Sequence, residues 1–250
     1  MSSPRLYCPS LTVGRVVLPD DEAHHARHAL RIMVGDEIIL FNGKGSEAQA
    51  RVTALDRKKL EVDVTRTSQH EYDTAVQVTL AVAMPKTHRQ SYLIEKCTEL
   101  GVAAIWPIET ERSVTRPGSA AMEKWQRRAI EAAKQSGRRW IPQIETLHTF
   151  HDAVARRDEY DHAVLAHVGG ETMSLVVRFK SVKPGDRVLA FIGPEGGWTD
   201  DECGRARDAD LSLVRLAPTM LRTETAAVAF CAAVAARFSE SWRTTNPNTK

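Results

Sequence analysis

The run Val76–Met84 constrains the fold more than any other feature of this chain. A strand with one face in water alternates apolar and polar side chains, whereas this run is apolar nearly throughout and needs cover on both faces. That is the condition of a buried parallel strand, and the chain downstream supplies the covering helices. Helix His88–Leu100 closes with Gly101 at a C-cap position, strand Val102–Ile108 follows, and helix Met122–Ser136 closes with Gly137. Further strands are expected at Tyr160–Ala166, Arg187–Ile192 and Leu213–Leu216, and helices at Phe150–Arg157, Thr172–Phe179, Asp200–Asp208 and Glu224–Ser241. This strand–helix rhythm predicts an α/β domain with a parallel sheet over residues 75–245.

Residues 6–66 read differently. Short β-type runs at Gly14–Leu18, Asp36–Phe41, Ala48–Val52 and Leu60–Val64 are separated by turn residues, the pattern of a small β-barrel or sandwich. Between the first two, Asp20–Arg31 opens with acidic residues, as a helix dipole favours, and Gly35 ends the helical stretch. The polar stretch Arg66–Thr74 marks the boundary, and Thr244–Lys250 reads as a frayed end. Hydrophobic residues make up 42 % of the chain, enough to fill these cores and to exclude general disorder. Cys8, Cys97, Cys203 and Cys231 are too scattered for a zinc site or a disulfide framework and read as reduced thiols. The first residues lack a basic segment leading into an apolar run, and no stretch approaches the roughly 20 apolar residues of a membrane span. A soluble, cytoplasmic protein without membrane association is expected.

Net charge is only +2, so affinity for nucleic acid has to come from local clustering. Residues 76–150 hold 11 basic and 7 acidic side chains, the one segment with a clear excess. Within it Arg127, Lys134 and Arg138 recur at helical spacing beside Lys124, Arg128 and Arg139, and predict either a solvated face or a strip contacting phosphates.

The segment Ala190–Glu202 carries the most chemical information. An apolar strand runs into Gly193-Pro194-Glu195-Gly196-Gly197, and Thr199 with Glu202 matches a helix capping box. The loop therefore lies at the carboxyl end of a parallel strand, where open α/β sheets bind ligands, and its glycines admit close backbone approach. Glu202 reads as a cap. A second loop, Leu216–Arg222, leads into an alanine-rich helix with Thr223 as its expected N-cap, and Arg222 is placed to pair with Glu224 or Glu195. A third, Leu165–Gly170, also ends a strand in glycines, so three strand-end loops can share one pocket. Gly43–Ala48 fits a G-x-G-x-x-A pattern but precedes a strand and reads as a hairpin turn. His24 and His28 lack further ligand spacing, so no metal site is expected, and P-loop, H-E-x-x-H and G-x-S-x-G patterns do not occur.

Taken in order, these segments resemble the bacterial 16S rRNA (uracil N3) methyltransferases, a SPOUT-class family. Gly193–Gly197 followed by Leu221-Arg222-Thr223-Glu224-Thr225-Ala226 resembles its paired signature. Lys86, Glu95-Lys96-x-x-Glu99-Leu100-Gly101 and Glu131-Ala132-x-x-Gln135-Ser136-Gly137-Arg138 resemble its central blocks, and His24 through Gly43 its PUA-like RNA-binding domain. The resemblance implies a PUA-like β-barrel over 1–72 and a SPOUT methyltransferase domain over 73–250 with a C-terminal trefoil knot. It also implies a homodimer, S-adenosyl-L-methionine as methyl donor, and 16S rRNA or the 30S ribosomal subunit as partner. By matching position the cofactor residues would be Leu165, His167, Gly169, Ile192, Gly193, Pro194, Glu195, Gly196, Gly197, Leu216, Ala217, Met220, Leu221, Thr223 and Ala226. Arg222 and Glu224 would be catalytic, and Arg31, Lys86, Arg127, Lys134 and Arg138 would bind RNA. Relatives commonly carry Gly and Arg where Ala217 and Thr219 stand, so a positive φ at 217 would be strained. In the implied chemistry uracil N3 loses a proton, and a guanidinium, assigned here to Arg222, offsets the resulting anion while Glu224 or Glu195 orients it. Two alternatives stay open: methylation of a ribose 2′-hydroxyl or of tRNA from the same pocket, and a non-catalytic RNA-binding assembly factor.

Overall fold

Burial alternates along the N-terminal strands and is continuous along the later ones, and the chain divides accordingly. The computed structural model describes residues 3–56 and 59–239. They form two compact units, one holding the chain up to Asp73 together with Ile130–Ile141, the other holding Thr74–Ala129 and the chain from Pro142 onward.

In the first unit, strands β1 (Arg5–Tyr7) and β2 (Gly14–Leu18), helix α1 (Asp20–His28), and strands β3 (Glu37–Phe41), β4 (Ser46–Leu55) and β5 (Leu60–Gln69) make one sheet, in the order β1-β3-β4-β5-β2. Leu6, Leu18, Ile38, Leu40, Val52, Leu60 and Val62 form its core with Ala23 and Ala26 of α1. The helix stops three residues before the expected Arg31, which takes a left-handed φ of 55°. Gly43 and Gly45, at φ 72° and 89°, turn the chain from β3 into the antiparallel β4, the hairpin expected there.

The second unit begins with β6 (Gln77–Val82), whose last five residues are buried, and continues through α2 (Thr87–Glu99), β7 (Ala104–Glu109), α3 (Ser119–Ser136), β8 (Gln143–Ile144), β9 (His148–Thr149) and α4 (Phe150–Ala155). Then come β10 (His162–Ala166), β11 (Met173–Ser174), α5 (Leu175–Arg178), β12 (Arg187–Ile192), α6 (Asp200–Asp208), β13 (Ser212–Arg215) and α7 (Thr223–Arg237). The strands form one parallel sheet in the order β11-β13-β10-β12-β6-β7-β8, with β9 also on β7. Chain order therefore reverses beside β6, which pairs with β7 on one side and β12 on the other, a topological switch point. Leu165, Leu189, Phe191, Trp106, Phe150 and Trp198 pack together as core, and α2 packs against α7.

One expected helix is replaced. Over Thr172–Phe179 the chain first pairs as β11 with β13, Met173 opposite Val214, and only one turn of helix follows. The two-residue strands β8 and β9 are too short to leave a sequence pattern. Positions 240 and 241 of the last expected helix, and the expected frayed end, lie outside the described residues.

Candidate active site

The neighbouring strands β13, β10 and β12 end side by side at the carboxyl edge of the sheet. After β12 the chain makes a tight turn in which the Gly197 amide donates to the Pro194 carbonyl at 2.9 Å, with Gly197 at φ 71°, a conformation open to glycine without Cβ strain. The turn ends in a complete capping box: the Glu202 amide donates to Thr199 Oγ1 at 3.2 Å, and the Thr199 amide to Glu202 Oε2 at 2.9 Å. Glu202 also accepts from the Glu111 amide through its other oxygen, at 3.0 Å. Trp198, buried at the turn's end, lies so close to Gly193 that a Cβ there would fall 2.9 Å from the indole. Its Nε1 donates to the carbonyl of Ala166, at the end of β10, at 2.9 Å. Thr223 Oγ1, in the first turn of α7, donates to the Gly193 carbonyl at 2.9 Å. These two hydrogen bonds tie the three strand-end loops to one another.

Between the loops lies a cavity of about 280 Å³, just below the roughly 300–1,000 Å³ of small-molecule sites. Of the residues expected there, His167, Ile192, Gly193, Pro194, Glu195, Gly196, Gly197, Leu216, Ala217, Met220, Leu221, Thr223 and Ala226 line it. Leu165 and Gly169 do not. Leu165 is fully buried in the sheet core because its side chain points into the layer, and Ala166 and Val168 line the wall instead. Thr223 is not the N-cap; that position is Arg222, and the Thr223 hydroxyl serves the glycine loop. The strain expected at Ala217 is absent: among the described residues only Arg31 and Asp210 combine a side chain with positive φ.

Arg222 is exposed at the N-cap of α7, between two lining residues. Glu224 is buried, and its partner is Arg89 rather than Arg222: Nε lies 3.5 Å from Glu224 Oε1, and Nη1 of the same guanidinium 3.5 Å from Glu195 Oε1. Arg112, from the loop after β7, lines the cavity and donates from Nη1 to the carbonyls of Gly196, at 2.9 Å, and Trp198, at 3.4 Å. Neither arginine was expected at the site, because each reaches it through strand pairing that no local pattern encodes. Burial and the nearby Arg207 push the His167 pKa down, so its imidazole is neutral at pH 7.

The expected basic strip breaks up. Arg127 is exposed, with Lys124 and Arg128 beside it, but Lys134 and Arg138 are each only 6 % exposed. Lys134 Nζ sits 2.7 Å from Glu22 Oε1 and 2.7 Å from Glu131, and Arg138 Nε lies 3.9 Å from Asp73. A cation held this way cannot also reach an RNA phosphate, so both belong to the interior of the first unit. Helical spacing alone does not distinguish that buried face from a wet one. Arg31 and Lys86 are both exposed, Lys86 at the N-cap of α2. The rings of His24 and His28 meet in a tilted contact, their centroids 4.5 Å apart and their planes at 36°.

The cavity's charged lining is Arg112 and Glu195, set among Ile192, Leu216, Met220, Leu221 and backbone amides and carbonyls at the loop turns. It suits a small molecule with apolar surface and charges of both signs. Comparison with known proteins agrees. The family model of an RNA methyltransferase domain matches residues 72–235, and that of an RNA methyltransferase PUA domain residues 18–65. The ribosomal RNA small subunit methyltransferase E of Bacillus subtilis is 31 % identical over 214 residues, 82 % of this chain and 84 % of that protein. The protein of the same name from Mycobacterium bovis is 32 % identical over 228 residues, 88 % of this chain and 86 % of its own. Among solved structures, a ribosomal RNA small subunit methyltransferase E from Neisseria gonorrhoeae bound to S-adenosyl methionine superposes with a TM-score of 0.85 at 30 % identity, covering 95 % of this chain and 98 % of its own. A methyltransferase from Legionella pneumophila in complex with the same cofactor gives 0.87 at 28 %, with 95 % and 98 % covered. Matched in this way along nearly its whole length, the chain belongs to the RNA methyltransferase family, in the group of the ribosomal RNA small subunit methyltransferases E.

Proposed function

We propose that this protein uses S-adenosyl-L-methionine to methylate N3 of a uridine in 16S rRNA of the small ribosomal subunit. The observation that carries the reading is the cavity at the carboxyl ends of β12, β10 and β13, walled by three strand-end loops that hydrogen-bond one another. Its residues fit the cofactor: the glycine turn leaves backbone groups open to an adenine edge, Ile192, Leu216 and Leu221 offer apolar surface, and Arg112 and Glu195 match the carboxylate and ammonium of a methionyl group.

When bound, the cofactor supplies a methyl group already activated on a sulfonium. The chain's own residues then have to hold the base in line while its N3 proton passes to solvent at the exposed side of the cavity near Arg222. Arg222, at the exposed N-cap of α7 beside the cavity wall, is assigned to offset the charge that develops on the uracil oxygens. Glu224 acts from behind it, fixing the first turn of α7 through Arg89. Neutral His167 adds no positive charge against the sulfonium.

In this reading residues 1–72 form a PUA-like β-barrel that binds RNA and 73–250 the methyltransferase domain, with the strand-end loops of its C-terminal part threaded as a trefoil knot. The matches of the two family models to 18–65 and 72–235 support that division. Arg31, Lys86 and Arg127 remain the RNA-facing cations, each exposed. A homodimer working in the cytoplasm completes the proposal; among the described residues no helix is long and apolar enough to cross a membrane. The test is nucleoside mass spectrometry of rRNA from cells lacking the protein, with and without its restoration. Loss and return of 3-methyluridine in 16S rRNA supports the reading. A 2′-O-methyl nucleoside, a tRNA product or no change overturns it.

A further inference from the structure

We infer that Arg89 is a positioning residue that sets the glycine loop and the start of α7 relative to each other. The inference rests on the cofactor reading of the cavity only for its consequence in binding. Arg89 stands in the first turn of α2, directly after β6, the strand hydrogen-bonded to β12. Its guanidinium spans two carboxylates, Glu195 of the loop after β12 and Glu224 of the first turn of α7, at 3.5 Å each. The two partners come from two different cavity walls, so one planar cation fixes the distance between them. A guanidinium presents donors on several edges and can serve both carboxylates at once, which a single ammonium on a flexible stem does poorly.

Burial makes the contact matter. Glu224 is 7 % exposed, and its Oε2 has no hydrogen-bond partner among the described residues. Without Arg89 that carboxylate would be left buried with Glu195 as a like-charged neighbour, and the cheapest relief is for the Glu195 loop to swing outward. Arg112 holds the same loop by its backbone carbonyls, so the glycine turn is gripped at its main chain by one arginine and at its one acidic side chain by another. Arg89 does not line the cavity and acts on a ligand only through Glu195.

The test measures amide hydrogen exchange of residues 193–198 in the full chain without cofactor, for the parent protein, Arg89→Ala, Arg89→Lys, and Arg89→Ala combined with Glu224→Gln. Arg89→Ala is expected to speed exchange at Gly196 and Gly197 about tenfold, Arg89→Lys by less, and the added Glu224→Gln to reverse part of the gain. Titration calorimetry with S-adenosylmethionine should show affinity falling in the same order. Unchanged loop exchange in Arg89→Ala, or a loss that Glu224→Gln leaves untouched, overturns the assignment. Failure of the parent protein to bind S-adenosylmethionine would instead strike the proposed function, while the exchange result still decides the role of Arg89.

Discussion

Replacing Thr223 by valine removes one hydroxyl while keeping the shape of the side chain, and it separates two roles for this residue. As an N-cap, Thr223 would hold only its own helix. In the structure the hydroxyl instead donates 2.9 Å to the Gly193 carbonyl and ties α7 to the glycine loop. Thr223 is 2 % exposed and Gly193 is partly exposed, so water can replace the lost donor at the carbonyl while valine fills the space. The cost is then that of one ordinary hydrogen bond, about 1 kcal/mol within a range of roughly 0.5–1.5. If it falls on the loop's binding-competent state, it weakens cofactor affinity by about fivefold, and by about tenfold at the top of that range, since about 1.4 kcal/mol corresponds to tenfold. Calorimetric titration with S-adenosylmethionine beside urea unfolding reads both quantities. A stability loss of this size with unchanged affinity would mean that the tie has no bearing on the site, and the reasoning from loop convergence would fail.

Other expectations follow from the same structure. Lys134→Met should destabilise the protein by about 3–5 kcal/mol, because it strands the buried Glu22 carboxylate; adding Glu22→Gln should recover most of the loss in urea unfolding. Burial holds the Glu22 pKa above its usual 4.5 despite Lys134. Its contribution to stability is therefore present in acid and lost as pH rises through the folded-state value, so Glu22→Gln should flatten that part of the pH–stability curve. His167 has the opposite shift: as pH falls through its depressed value, below 6.5, a positive charge enters the cavity proposed to hold the sulfonium. Affinity for S-adenosylmethionine should drop on that acid limb, and His167→Asn should abolish the drop in calorimetry. Neutralising Lys124 and Arg127 together should lower the slope of log affinity for rRNA against log salt by about 0.7–0.9 for each phosphate the protein no longer neutralises. A slope that stays the same would make them a solvated face.

Much of the fold is local enough to read from the chain. The unbroken apolar run of β6, the glycines after α2 and α3, and the capping residues of α6 each act over one element, and the elements formed where these signals lie. That residues of the glycine turn and of the Leu216–Thr223 loop would line one cavity was legible because strand-end loops in a parallel sheet share an edge. Other features depended on neighbours far along the chain. β11 formed where a helix was expected because β13 offered it a pairing edge. Lys134 left the expected RNA strip because Glu22, 112 residues away, took its ammonium. Arg89 and Arg112 reached the site because β6 pairs with β12 and β7 with β6, a strand order no local signal carries. Local backbone preference and hydrophobic period are properties of a few consecutive residues, so the sequence alone determined which segments became strands, helices and ligand-side turns. Which charges face one another depends on strand order and burial, so only the tertiary structure decided which basic side chains brace the cavity, which hold the core, and which stay exposed.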